Sequence, residues 1–334
     1  MSGLFNETFS GNYSTDTEDK ILFGLPERVI WATIDGALMI PILAGNIVTI
    51  CAILWCRRLS SVLSNQFILN LAISDLLVGL FLPYHMAFSI IDELNKFKNT
   101  CLLRFILVIL PASSSIYNLI AIAIDRYISI VYPLHYSTYM TARKALVIVG
   151  VGWILSAIVS TMPSYWNKYS EDKDCLVDNV LPKAYIICII TPAFVLVLVA
   201  MLVLYWRIWK EASEQARRLR NVTNSQSDWK SVQVVLLVLG SFSICWLPYF
   251  TVICCRVAGA KSYTSFVVYK AAFSMGMANS CINPLIYAWK NTEFKNAFRN
   301  ILHCKSPNRA DHLLETITTH TELHTIDSSC GGFT

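Results

Sequence analysis

The chain has 334 residues, 55% of them hydrophobic and only 15% charged, with a formal net charge of +5. Soluble domains are about one quarter charged, so this composition excludes an ordinary water-soluble globule and points to a membrane. The excess positive charge flanks apolar runs instead of forming a patch of its own, so no nucleic-acid partner is implied.

Residues 1–27 are polar and lack a basic–apolar–small cleavage pattern, so no removable leader is expected there. Asn6 and Asn12 open N-x-S/T sequons, expected to be glycosylated if this segment is outside the cell. Seven apolar runs follow: Val29–Trp55, Gln66–Ile91, Leu102–Val131, Ala145–Pro163, Lys183–Trp206, Val232–Cys255 and Ser265–Trp289. Each approaches or exceeds the roughly 20 residues a helix needs to cross a bilayer, and each is too long for a strand. The expected fold is an all-α membrane protein, a seven-helix bundle occupying residues 28–290. Arg57–Arg58, Arg143–Lys144, Arg207–Lys210–Arg217–Arg218–Arg220 and Lys290–Lys295–Arg299 flank one set of helix ends. That asymmetry places those ends in the cytosol and the amino terminus outside, and it leaves the sequon at Asn221 bare. Over 291–304, Phe294, Phe298 and Ile301–Leu302 recur at helical spacing with bases between them, as in an amphipathic eighth helix lying on the inner leaflet lipids. Cys304 behind it suits S-acylation. Residues 305–334 form a polar tail, expected to be disordered. Its Thr316, Thr318, Thr319, Thr321, Thr325, Ser328 and Ser329 are available to a receptor kinase and then arrestin.

Most of the eleven cysteines sit in spans as small apolar fillers. Cys101 and Cys175 differ, because one opens the third span and the other lies in the outer loop 164–182, where a bridge would pin the loop over the bundle mouth. Cys254 and Cys255, also near the outer face, leave that pairing open. Polar groups inside spans are costly and therefore informative. They comprise Asn46, Asn70, Asp75, Ser115, Asn118, Asn279, Ser280 and Asn283. One carboxylate among hydroxyl and amide oxygens is a hard-oxygen set, suited either to a small cation such as Na⁺ or to a water-filled network around a protonated Asp75. Asp35, in the outer part of the first span, either holds an amine from an unusual side or snorkels to water, and the second is the expectation.

Asp125 and Arg126 are adjacent at the inner end of the third span, and Asp228 stands at the start of the sixth. Arginine can engage two carboxylates and stays charged, so an Arg126–Asp228 bridge is a plausible latch between the two helices. Pro248, in "FSICWLPYF", removes a backbone hydrogen bond and bends the sixth helix just past Trp246, with Phe242 one turn below. "NPLIY" at Asn283–Tyr287 supplies a second softened point.

Gly45–Asn46, NLAISD ending at Asp75, Cys101, DRY at Asp125–Tyr127, Trp153, CWLP at Cys245–Pro248 and NPLIY stand in register with the seven runs. Along essentially its whole length the chain resembles a rhodopsin-like (class A) G-protein-coupled receptor. The resemblance implies a small-molecule ligand and a plasma-membrane location. It also implies a sodium pocket of Asp75, Ser115, Asn279, Ser280 and Asn283, and a heterotrimeric G protein that meets Arg126 and docks on Leu134. No enzymatic cofactor is expected, and the resemblance implies Na⁺ as an allosteric ion at that pocket. Two positions depart from the family: its helix-five proline falls on Val197, with Pro192 more than a turn earlier, and Pro111 interrupts helix three.

"LIAIAIDRYISIVYPLHY" resembles adenosine receptors and "NLAISDLLVGLFLPYHMAF" resembles helix two of aminergic ones, and an invertebrate amine/ecdysteroid type of receptor would fit such a mixture. The anchoring aspartate of amine receptors is Val108 here, their helix-five serines are Ile189, Ile190 and Ala193, the opsin lysine is Met277, and the asparagine that grips a purine is Ile253. What remains as ligand lining is Val108, Ile109, Ala112, Ser113, Trp246, Tyr249, Phe250, Ile253, Phe273 and Met277, suited to a largely apolar molecule. An atypical amine or a nucleoside is the alternative. A transporter would show repeats and broken mid-membrane helices. An enzyme would need paired catalytic groups, which no span offers.

Overall fold

A computed structural model describes residues 25–218, 226–259 and 265–305. The sequons at Asn6 and Asn12, the sequon at Asn221 and the tail hydroxyls lie outside them. Among the described residues seven long helices are present: α1 (Leu25–Trp55), α2 (Asn65–Ile90), α3 (Lys98–Val131), α4 (Ala142–Tyr165), α5, α6 (Gln226–Val257) and α7 (Phe266–Lys290). Helix α5 is continuous but composite, with an α turn at Lys183–Tyr185, a π turn over Ile186–Ile190 and an α-helix over Thr191–Arg218. A short helix, α8 (Thr292–Leu302), follows α7.

Among the described residues, five of these helices are long and apolar enough to cross a membrane on their own composition, in α1, α2, α3, α4 and α6. In α5 the apolar stretch is the shorter Lys183–Leu196. Helix α7 carries Lys270, Asn279, Ser280 and Asn283, and it is held by packing on α6, α1 and α2. Helix α3 is the central post, touching α2, α4, α5 and α6. It runs on through Pro111 without a break. The π turn of α5 lies just ahead of Pro192, whose ring cannot donate to the helical ladder, so an irregular turn there absorbs the missing bond.

Burial is inverted relative to a water-soluble bundle. Ile40, Leu54, Leu146, Ile154, Leu196 and Leu285 point outward, while Asn46, Ser74, Asp75, Ser115 and Asn283 are buried between helices. That distribution suits lipid as the surrounding solvent, since so much exposed apolar surface is not seen in soluble monomers. Small residues allow close approach at two crossings. A Cβ on Gly45 would lie 3.0 Å from Pro284 of α7, and one on Gly152 would run into the Tyr117 ring of α3. Helix α8 starts from Asn291, whose Oδ1 accepts from the backbone N–H groups of Glu293 and Phe294 at 3.0 and 3.3 Å. It buries Phe294 against Tyr287, ring centroids 5.4 Å apart, and ends on Cys304 in a left-handed conformation (φ 52°), exposed.

Candidate functional site

The outer half of the bundle encloses a cavity of about 290 Å³. The disulfide Cys101–Cys175 closes its roof by tying the start of α3 to the outer loop, with Cα atoms 5.8 Å apart, while Cys254 and Cys255 remain free thiols. Leu176, Val177 and Leu181 of that loop face the cavity. A short helix at Val177–Val180 is fixed to α6 by an Arg256–Asp178 ion pair at 3.3 Å.

Nine of the ten residues expected to line a ligand site do line the cavity: Val108, Ile109, Ala112, Ser113, Trp246, Tyr249, Phe250, Ile253 and Phe273. Met277 does not. It is buried a turn further in and borders a separate void of about 10 Å³ with Pro111, Leu82 and Val78, because Phe273 stands between it and the main space. The floor is aromatic. Trp246 meets Tyr249 edge-on at 5.8 Å and Phe250 at 6.1 Å, and Phe250 stacks on Phe194 of α5 at 3.8 Å. Phe194 was not among the expected residues. It lies one position beyond Ala193 on the turn that follows the π segment. Gly276 lets the indole lie close to α7, since a Cβ there would be 3.1 Å from its ring.

At the outer end the lining turns polar, which sequence reading did not anticipate. Arg104 and His85 border the cavity, together with Tyr269. The Arg104 Nε–H donates to His85 Nδ1 at 3.1 Å and Nη1 donates to the Cys175 carbonyl at 3.2 Å. Nearby, Asp35 is only 1% exposed and accepts from Ser274 at 2.9 Å, so the snorkelling expectation is corrected. It sits among Ser274, Lys270 and Arg104 inside the bundle, where α7 and α2 cover it from water. A positive residue inside an apolar run was the available signal for Arg104 and Lys270.

Below the cavity, Asp75 is completely buried. Its Oδ1 accepts from Ser115 at 3.1 Å and Ser280 at 2.8 Å, and its Oδ2 accepts from Asn283 at 2.8 Å. Ser74 joins through Ser115 at 3.1 Å. Asn279 is buried nearby, and its Oδ1 has no hydrogen-bond partner. Ser114 Oγ, Asn283 Oδ1 and Tyr287 Oη are likewise without hydrogen-bond partners. Asn46 links α1 to α7 by donating to the Ser280 carbonyl at 2.9 Å.

At the cytosolic end Asp125 is fully buried, and its Oδ2 accepts from Arg126 Nη2 at 2.6 Å and Nε at 3.0 Å. Its Oδ1 accepts from Tyr136 Oη at 2.7 Å, a partner not foreseen from sequence. Burial and the adjoining Asp125 carboxylate push the Tyr136 phenol above its usual range, keeping it a donor. Tyr127, next in the motif, is half-buried. Asp228 lies in α6, but its side chain is outside the described residues. Leu134 projects from a short helical turn and is 91% exposed.

A covered cavity over an indole, a proline inside α6 and α7, and an arginine paired with a buried carboxylate at the opposite end define a membrane receptor of the seven-helix class. The family model described as "7 transmembrane receptor (rhodopsin family)" matches residues 45–287, and the chain belongs to that family. It is similar to the histamine H2 receptor of Cavia porcellus, with 33% identity over 87% of this chain and 85% of that one. The histamine H2 receptor of Homo sapiens is 30% identical over 83% of this chain and 80% of its own. The alpha-1A adrenergic receptor of Oryzias latipes is 29% identical over 91% of this chain and 74% of that receptor. The protein is a multi-pass membrane receptor and not an enzyme.

Proposed function

We propose that this receptor sits in the plasma membrane with its amino terminus outside, takes a small and largely apolar ligand into the outer cavity, and activates a heterotrimeric G protein. The observation that carries this is the lining: Val108, Ile109, Ala112, Ile253 and the Trp246–Phe250 aromatics surround a space that opens onto the hinge at Pro248. A ligand settled on Trp246 favours the conformation in which the inner part of α6 swings outward and bares Arg126. Leu134 then offers an apolar knob to the transducer. Labels on the inner ends of α3 and α6 should separate when agonist and G protein are both present. A fixed separation removes the proposal.

The names of the relatives favour a second reading, an amine receptor. Against it stands Val108 in the cavity wall, which gives a cation no carboxylate at that position of α3. A G-protein-release screen of amines, nucleosides, sterols and lipids separates the two readings, and an amine response created by Val108→Asp from none supports the apolar one.

Three further proposals follow. The first is Na⁺ at the Asp75 network, which fits the donor set there: a carboxylate with buried oxygens on Ser115 and Ser280, beside amide oxygens of Asn279 and Asn283 that lack hydrogen-bond partners. These five residues would hold the ion, which would supply a counter-charge that favours the resting state. Second, Asp228 latches Arg126, so Asp228→Asn should raise basal signalling. Third, the Asn6 and Asn12 sequons are glycosylated, Cys304 is acylated, and the tail hydroxyls recruit arrestin after phosphorylation.

A further inference from the structure

The proposed apolar ligand pocket has a charged end that its apolar lining does not explain. The Arg104 guanidinium is buried, 8% exposed, and borders the cavity. Burying a cation is costly unless an anion accompanies it. Arg104 has none: among the described residues no carboxylate lies within ion-pair distance of it. Its partners are an imidazole, a backbone carbonyl and the face of Phe88 at 5.0 Å, all neutral. His85 Nδ1 accepts from Arg104 and so carries no proton there, which leaves the ring without positive charge. A guanidinium has five N–H donors; Nε–H is engaged by His85 Nδ1 and one Nη1 hydrogen by the Cys175 carbonyl, while His85 Nε2 bears the neutral ring's proton and cannot accept from Nη2, so one hydrogen on Nη1 and both on Nη2 are left over.

The surroundings reinforce the imbalance. Lys270 is also buried, and Asp35 is the carboxylate within electrostatic reach of both cations. Asp35 is held by Ser274 on α7, away from the Arg104 hydrogen bonds. Val108, one turn further in on the same face of α3, is apolar, so nothing there offers a counter-charge to a cationic ligand. The rest of the wall, with Tyr117, Leu155 and Val159 reaching toward the lipid face of α4, accommodates an apolar body.

Resting on the reading of this cavity as a ligand pocket, we propose that Arg104, with His85 beside it, is an anion-binding subsite and that the ligand is an anionic amphiphile. Such a ligand has one carboxylate paired with the guanidinium fork and an apolar chain or ring system laid toward Trp246. Arginine suits this task because its planar fork matches a carboxylate's two oxygens. At about 290 Å³ the cavity lies at the small end of ligand sites, which run from about 300 Å³ upward, so the body is short.

The test uses full-length receptor in zwitterionic nanodiscs, melted with decanoate, decanamide, decylamine, decyl phosphate or acetate, as wild type and as Arg104→Gln, Arg104→Lys and Arg104→Met. Decanoate should raise the wild-type Tm more than decanamide does. Its apparent affinity should fall by about 30-fold or more in Arg104→Gln, the loss expected when one member of a buried charge pair is removed. Arg104→Lys, which keeps the charge and loses the fork, should fall between. Ligand-free Arg104→Met should melt higher than wild type, because it removes an uncompensated buried charge; a purely structural arginine would make it melt lower. If decanoate and decanamide act alike in wild type and Arg104→Gln, the anion site is overturned while the apolar pocket stands. An equal shift from acetate reduces the site to a simple anion site and overturns the amphiphile. A larger shift from decyl phosphate replaces the carboxylate with a phosphate-headed lipid. A shift from decylamine alone, or from none of the decyl compounds, overturns both the subsite and the pocket reading.

Discussion

Two polar clusters are buried in this bundle, and they are built in opposite ways. Around Asp75 every carboxylate oxygen has a donor: Ser115 and Ser280 on one, Asn283 on the other. Around Arg104 the hydrogen-bond partners are neutral groups alone, and Asp35 is within electrostatic reach but not in ion-pair contact. A buried charge that is matched by hydrogen bonds holds helices together, whereas one left without a counter-ion favours whatever brings one. The first cluster joins α2, α3 and α7 at mid-membrane. The second lies at the mouth of a cavity, where something can reach it.

The largest effect expected is on neither cluster but on the clamp that covers the outer one. Cys101→Ser releases the loop that carries the Cys175 carbonyl and the roof residues Leu176 and Val177. Loss of a disulfide closing a long loop typically costs about 2–5 kcal/mol, so the thermal midpoint of purified receptor should fall by many degrees, with cell-surface expression reduced. An unchanged midpoint would show that the Arg256–Asp178 pair and loop packing suffice, and that the outer cluster needs no covalent roof.

Next comes Asp75→Ala, which leaves Ser115, Ser280 and Asn283 without their acceptor at once. An abandoned buried donor costs about 1–3 kcal/mol, and relaxation among the three keeps the total from adding fully. Asp75→Asn retains an oxygen and should cost less, while abolishing any sodium dependence of agonist affinity; dependence that survives would remove the cation from this network. Set against a gain in stability for Arg104→Met, a loss here would confirm the contrast between matched and unmatched charge. The same sign for both would erase it.

The two clusters were unequally legible in the amino-acid sequence, for a physical reason. Asp75 stands in the middle of "NLAISDLLVGL", where no side chain can reach water, so its cost is visible without a structure. Arg104 and Lys270 lie a few residues inside the outer ends of α3 and α7. At that depth long cations ordinarily snorkel to the interface and signify nothing. What buries them is tertiary: the loop folded back through Cys175 over Arg104, and the helices that close around Asp35. Ser74 was missed for a different reason. A serine within a helix commonly bonds its own backbone, as Ser74 does to the Asn70 and Leu71 carbonyls, and its approach to Ser115 depends on how α2 and α3 pack. The spans, the disulfide cysteines and the aromatic floor were legible because the bilayer imposes length and apolarity on the first, the outer compartment permits the second, and Pro248 marks the third. Met277 was placed by its correspondence to the opsin lysine position, which does not show that Phe273 lines the main cavity in front of it.

The smallest effect concerns a third buried charge, Asp125, which combines the two designs. It is matched, but one of its partners is Arg126, the residue proposed to leave when the receptor couples. Tyr136 supplies the other contact, from the short helix Tyr136–Tyr139 beyond α3. Tyr136→Phe deletes one hydrogen bond to a carboxylate, worth about 1.5–3 kcal/mol at most. Arg126 remains on Asp125, and the protein should stay folded with a midpoint only slightly lowered. The informative readout is basal G-protein release. If the Tyr136 bond holds Asp125 where it can retain Arg126, basal release should rise modestly in Tyr136→Phe and should rise further in combination with Asp228→Asn. A double variant no more active than Asp228→Asn alone would mean that Tyr136 secures the loop and has no part in retaining the arginine.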